Sequence, residues 1–224
     1  MKQDVQEYIR ACESCCAVKN PPVKTKVPLR SQIAQHPLEV VSTDIAGPFP
    51  ESEGHHYAII FIDHFTKFCE LGPIPDQKAE TVARAYIDMW VTRYGTPQKL
   101  LSDQGTNYMS QVFSHVNRLL GVKAIRTSPL HPQTNAQAKR MWKVTKLCLT
   151  HFVYDRQEEW VKYLPFIQFA ANHSWQSSIN SSPAKLFFGR EMRTPLELLL
   201  PKPVPTTIPE GQNSQQLENM IQSV

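Results

Sequence analysis

The chain has 224 residues, 41% of them apolar and 20% charged, an ordinary globular composition long enough to bury a full core. No apolar run approaches a membrane span, the N-terminus lacks a signal peptide's apolar centre, and the five cysteines, three of them bunched at Cys12, Cys15 and Cys16, form no secreted disulfide framework. The net charge of +4 is modest but uneven: no acid occurs from Gln104 to Tyr154, where Arg118, Lys123, Arg126, Lys139, Arg140, Lys143 and Lys146 all fall, and such a one-signed field favours a polyanion, above all nucleic acid.

Taken in order, residues 1–17 read as a short helix, with Val5, Tyr8, Ile9 and Cys12 at helical spacing. It ends in Cys12-Glu-Ser-Cys15, a gap that suits one side of a tetrahedral zinc site but supplies only half of one. A basic, proline-punctuated connector follows to Pro37. Strand-like runs at 38–46, 57–63 and 67–73 are joined by short turns, which predicts antiparallel neighbours. The stretch 76–94 is an amphipathic helix with Val82, Ala85, Tyr86, Met89 and Trp90 on one face, stopped by Gly95-Thr-Pro97. Then come a strand at 99–102, a helix at 110–120 ended by Gly121, and a strand at 122–127; strands separated by a helix pair in parallel through a right-handed crossover. Helices are expected at about 137–154 and 157–173, and short helical turns at 183–200. Beyond Pro201 the composition turns to Pro, Gln, Ser, Thr and Asn, that of a disordered tail. The order predicts an α/β fold, a mixed sheet with helices packed on it.

Two aspartates end strand-like runs. Asp44 closes the first, Asp103 follows the fourth, and thirty-five residues separate Asp103 from Lys139 near the start of a helix. Two strand-end carboxylates followed by a polar helical position suggest a divalent-metal site, yet the third group is a lysine. Asp63 also ends a strand and is assigned a structural or supporting role, and His131 is expected to shape its loop. Met141, Trp142, Val144 and Cys148 are read as core.

These residues carry a resemblance. Thr43-Asp44-Ile-Ala-Gly-Pro-Phe-Pro, Phe61-Ile-Asp-His-Phe-Thr-Lys67, Ser102-Asp103-Gln-Gly-Thr-Asn-Tyr, His131-Pro-Gln-Thr-Asn-Ala-Gln and Phe188-Gly-Arg-Glu-Met-Arg-Thr-Pro195 stand in the order found in integrases of Ty3/gypsy-type LTR retrotransposons, and the similarity runs from about Asp4 to Leu200. The resemblance implies an RNase H-like fold with a five-stranded mixed sheet, and a DD35E polynucleotidyl transferase core over 37–200. It further implies a partial zinc-binding module at 1–19, with 20–36 as linker and 201–224 as tail. Cys12 and Cys15 would be half of a Zn²⁺ module whose histidines lie upstream of Met1, so the chain is expected to be truncated there and to hold no stoichiometric zinc.

In the family, three carboxylates hold two Mg²⁺ ions for 3′-end processing and strand transfer. Asp44 and Asp103 match the first two positions; Lys139 stands where the family has glutamate, and Ala136 where relatives typically have glycine. The departure argues against Mg²⁺-dependent catalysis and leaves the fold untouched. The Lys139 ammonium is expected within salt-bridge range, about 4 Å, of Asp44 or Asp103, in place of the metal. Lys143 and Lys146, with Arg140, are expected to contact DNA phosphates. The function implied is that of an integrase-like DNA-binding protein, catalytically impaired, homo-oligomeric, and nuclear or intracellular. The alternative is a non-catalytic DNA-binding or protein-interaction module derived from an integrase.

Overall fold

A computed structural model of the chain describes residues 34–126, 136–154 and 156–194. The N-terminal helix with Cys12 and Cys15, the linker up to Ala34, His131, Asp155 and the tail lie outside the described residues. The chain enters a three-stranded antiparallel meander, β1 (Val40–Ala46), β2 (Tyr57–Asp63) and β3 (Cys69–Ile74). Two strands are shorter than their apolar runs suggest, because the chain reverses at their first residues. Leu38 (φ 62°) and Lys67 (φ 66°) both sit in the left-handed region, which belongs to turns rather than ladders.

A continuous helix, α1, occupies 79–94. It comprises an α-helical segment Ala79–Ala85, a π-helical stretch Tyr86–Val91 and a last turn Thr92–Tyr94. It begins at Ala79 because Asp76 draws the preceding turn together, accepting from Lys78 N (2.9 Å) and Thr81 Oγ1 (2.6 Å). Val82, Tyr86 and Trp90 are all fully buried. An α-helix would drift off its face at a spacing of four residues, and the wider π turn holds Tyr86 and Trp90 on the sheet side. There they meet Phe61, at ring separations of 5.8 and 6.0 Å.

Strand β4 (Lys99–Ser102) then pairs parallel to β1, and after helix α2 (Gln111–Leu119) strand β5 (Lys123–Arg126) pairs parallel to β4. Ser110 caps α2, its hydroxyl accepting from Phe113 N at 3.1 Å. The sheet order is β3-β2-β1-β4-β5, the five-stranded mixed sheet expected from the sequence.

The opposite face of the sheet is covered by α3 (Ala136–Phe152) and α4 (Trp160–His173), the latter entered through a 3₁₀ turn, Gln157–Glu159. Helix α5 (Pro183–Phe188) follows, capped by Ser182. In α3, Ala138, Trp142, Thr145 and Leu149 are buried, at helical spacing. Val144 departs from expectation: it is 46% exposed, because it lies about 100° round the helix from Thr145. Trp142 is core as expected, and Met141 and Cys148 are half-buried against the same cluster.

One edge of the sheet is covered by side chains. Asn172 of α4 accepts from Cys69 N (2.9 Å) and donates to Cys69 O (2.8 Å), while Gln168 accepts from Leu71 N (2.8 Å). Gln168 also donates to Glu70 (2.9 Å), a buried carboxylate that Arg93 (2.6 Å) and Tyr94 (2.8 Å) reach from α1. Residues of β3, α1 and α4 are thereby joined at one carboxylate.

Candidate nucleic-acid interface

Strand pairing alone brings the first two site residues together. The parallel register pairs Ser42 of β1 with Leu101 of β4, and Asp44 and Asp103 each lie two residues further on. Asp103 follows the end of β4, but Asp44 does not close β1 as expected, because the ladder with β2 continues to Ala46. Side chains alternate along β1. Thr43 meets Tyr108 beneath α1 and α2, whereas Asp44 shares the opposite face with Ala46, the face that α3 covers.

Among the described residues each carboxylate of the pair has a single hydrogen bond, and it is local. Asp44 Oδ1 accepts from Ile45 N at 3.1 Å, and Asp103 Oδ1 from Gly105 N at 3.0 Å. The second contact is an Asx turn that needs glycine: a Cβ on Gly105 would lie 2.5 Å from Asn107 Oδ1 and 3.1 Å from Asp103 Oδ1. The acceptor sites that remain have no protein donor among the bonds described. Burial pushes the Asp44 carboxyl up to about 6, and the Asp103 charge adds to the rise. The Ile45 N–H and the charges of Lys139 and Lys146 pull against it.

Lys139 does not form the contact expected of it. Among the described residues no ion pair joins Lys139 to Asp44 or Asp103; its side chain is exposed, and it acts on Asp44 through its field. The helix explains this. Ala138 is the fully buried position, and Lys139 is rotated about 100° from it. There the ammonium stays hydrated, and its transfer between two half-buried carboxylates would cost desolvation. Lys139, Lys143 and Lys146 recur at i, i+4 and i+7 along one exposed stripe of α3 beside the buried face, and Arg140 is exposed next to it.

Asp63 is not part of this group. Its carboxylate accepts from Leu38 N (2.9 Å), Thr66 N (2.8 Å) and Thr66 Oγ1 (2.7 Å), fastening the β2–β3 turn to the start of β1. Sequence reasoning missed Tyr108, whose hydroxyl shares a 3.0 Å hydrogen bond with Thr43. Burial raises its pKa, and the charges of Asp44 and Asp103 raise it further, which places the phenol within their field. Its partner is 65 positions away, so no local pattern signals it. Among the described residues, no three His, Cys, Asp or Glu side chains come together as a metal-holding group.

The model of the family described as the integrase core domain matches residues 34–132. The Pro-Pol polyprotein of Simian foamy virus type 3 (strain LK3) is 28% identical over 195 residues, covering 87% of this chain and 17% of the relative. Gypsy retrotransposon integrase-like protein 1 of Mus musculus is 30% identical over 188 residues, 84% of this chain and 36% of the relative. The chain thus spans well under half the length of these curated relatives. Among solved structures, the simian T-cell lymphotropic virus intasome in complex with PP2A regulatory subunit B56 gamma superposes with a TM-score of 0.65 at 16% identity. That match covers 93% of this chain and 72% of the other. The HTLV-2 integrase catalytic core domain in complex with magnesium (trimeric form) gives 0.55 at 12% identity, over 70% of this chain and 99% of the other.

Proposed function

We propose that the chain carries an integrase core of Ty3/gypsy type and binds DNA along α3 without catalysing strand transfer, a reading supported by the family match, the relatives and the shared fold. The observation that carries the proposal is the disagreement between the aspartate pair and its third position. Asp44 and Asp103, with one hydrogen bond each, stand on or just beyond adjacent strands, as two acidic ligands would, while the helix that faces them offers an ammonium. Hard divalent cations demand oxygen ligands, and a pair of them needs enough carboxylates to bridge both. Two carboxylates with Lys139 do not fit a pair of Mg²⁺ ions. The cationic stripe that replaces the acid instead favours the phosphate backbone, the contact that gives affinity with little sequence choice.

Self-association belongs to the same proposal, by analogy with the trimeric HTLV-2 core. Among the described residues, no helix is long and apolar enough to cross a membrane.

The test pairs two assays on the purified chain. Duplex DNA binding followed by fluorescence anisotropy is expected to be strong at low salt and to weaken steeply as salt rises. Incubation with Mg²⁺ and a donor duplex is expected to yield neither 3′-processed nor strand-transfer product. Mg²⁺-dependent strand transfer that disappears in Asp44→Asn would overturn the proposal.

A further inference from the structure

The basic stripe of α3 ends at a cavity. It measures about 490 Å³, within the roughly 300–1,000 Å³ of small-ligand sites, and Phe49, Lys146, Leu149, Val153, Tyr154 and Trp160 line it. Its floor is aromatic: the Phe49 and Trp160 rings stand 5.0 Å apart, tilted by 41°. Trp160 is 2% exposed, and its only polar atom is already engaged, Nε1 donating to Pro50 O at 2.8 Å. The indole is therefore closed over by its neighbours, and the aromatic surface open to a guest is that of half-buried Phe49 and exposed Tyr154. The hydroxyl of Thr150, at the mouth, is likewise turned back onto Lys146 O at 2.8 Å. The polar groups left to a guest are the Lys146 ammonium, the exposed Gln157 amide and the exposed Tyr154 phenol, all at the rim.

An apolar, aromatic-floored slot with one cation at its lip suits a planar aromatic group that carries an anion. Lys146 also fixes where such a group would come from. It is the last lysine of the stripe begun by Lys139 and Lys143, and its charge reaches Asp44. A strand lying on that stripe would meet the cavity where the lysines end.

We propose that this cavity is a nucleobase site. It takes one unpaired base from the end of a bound DNA, stacked against Phe49 and Tyr154, with the adjoining phosphate on Lys146. The proposal rests on α3 being the DNA-binding face, and it adds a preference for frayed or overhanging ends over blunt duplex. Stacking on aromatic side chains tolerates any base, so the preference is for end structure and not for sequence.

The experiment compares a blunt duplex with the same duplex bearing a short single-stranded overhang that contains 2-aminopurine, both titrated with the full chain. The overhang is expected to bind about tenfold more tightly, well within what stacking one base is worth, and the 2-aminopurine emission should be quenched on binding. Thr150→Leu narrows the mouth from an exposed helix position, and Tyr154→Ala removes an exposed ring. Each should abolish the preference and reduce the quench while leaving blunt-duplex affinity and melting temperature unchanged. Equal affinity for the two duplexes, or a preference that survives both variants, would overturn the nucleobase site. So would an apolar dye seated in the cavity that overhang DNA fails to displace and an apolar peptide does. Failure of the underlying reading looks different: neither duplex would bind in a salt-dependent way, and the base site would fall with it.

Discussion

Asp63, Asp44 and Asp103 all lie on or just beyond strands of the one sheet, and the fold treats Asp63 and the other two in opposite ways. Asp63 is fully buried, and three donors from two segments converge on it. Asp44 and Asp103 have one local donor each, and each stands in the other's field. Burial raises the carboxyl of both Asp44 and Asp63, but only at Asp63 do three hydrogen bonds to surrounding segments oppose it. A buried carboxylate that is fully paired holds a turn. A pair left short of donors is a cost to the fold.

The comparison can be broken most directly at Asp63. Asp63→Ala leaves buried donors at Leu38 and Thr66 unmatched and should lower unfolding stability by about 3–5 kcal/mol, read by urea denaturation. A loss below about 1 kcal/mol would show that the turn holds without its carboxylate. Asp44→Asn should move stability the other way. The Asp44 pKa in the folded chain, about 6, lies above its ordinary 3.8, so the folded chain keeps a proton that the unfolded chain releases. That contribution is full below about pH 4 and is lost as pH rises through about 6. At pH 8 the carboxylate is a net cost, and Asp44→Asn should stabilise by about 2 kcal/mol. The gain should shrink to nothing by pH 4; an equal gain at both pH values would contradict the assignment. The smallest effect sharpens the comparison from the ligand side. Lys143→Ala with Lys146→Ala should weaken duplex binding by about 1 kcal/mol and reduce the slope of log K against log salt by about 2. An unchanged slope would remove α3 from the DNA contact.

Much of this was legible in the sequence, and the parts that were not share a cause. Asp44 and Asp103 announce themselves as acids beside apolar runs, but the pairing of β1 with β4 spans β2, β3 and α1 and has no local signal. The α3 stripe is legible because Lys139, Lys143 and Lys146 repeat with the helical period. What period cannot give is rotation about the helix axis. Val144 looks as apolar as Trp142, and only the packing of Ala138, Thr145 and Leu149 shows that it faces solvent. The same rotation leaves Lys139 exposed, one position from the buried Ala138, where charge complementarity alone placed it against the aspartates. Contacts between distant segments are silent for a different reason: Thr43 with Tyr108, or Glu70 with Gln168, depend on where the sheet brings separate helices. The π turn of α1 also has no residue signature, being the way Tyr86 and Trp90 both reach Phe61.

The side-chain cover over β3 bears on how copies of this protein meet at high concentration. An open sheet has two rims at which a foreign strand could dock and begin a fibril. At one rim Asn172 and Gln168 occupy the Cys69 N–H and C=O and the Leu71 N–H, which takes up part of the ladder that could template another chain. The other rim, β5, carries exposed Lys123 and Arg126, which repel a like-charged copy approaching edge to edge. Extension of the sheet from copy to copy is thus disfavoured at both rims.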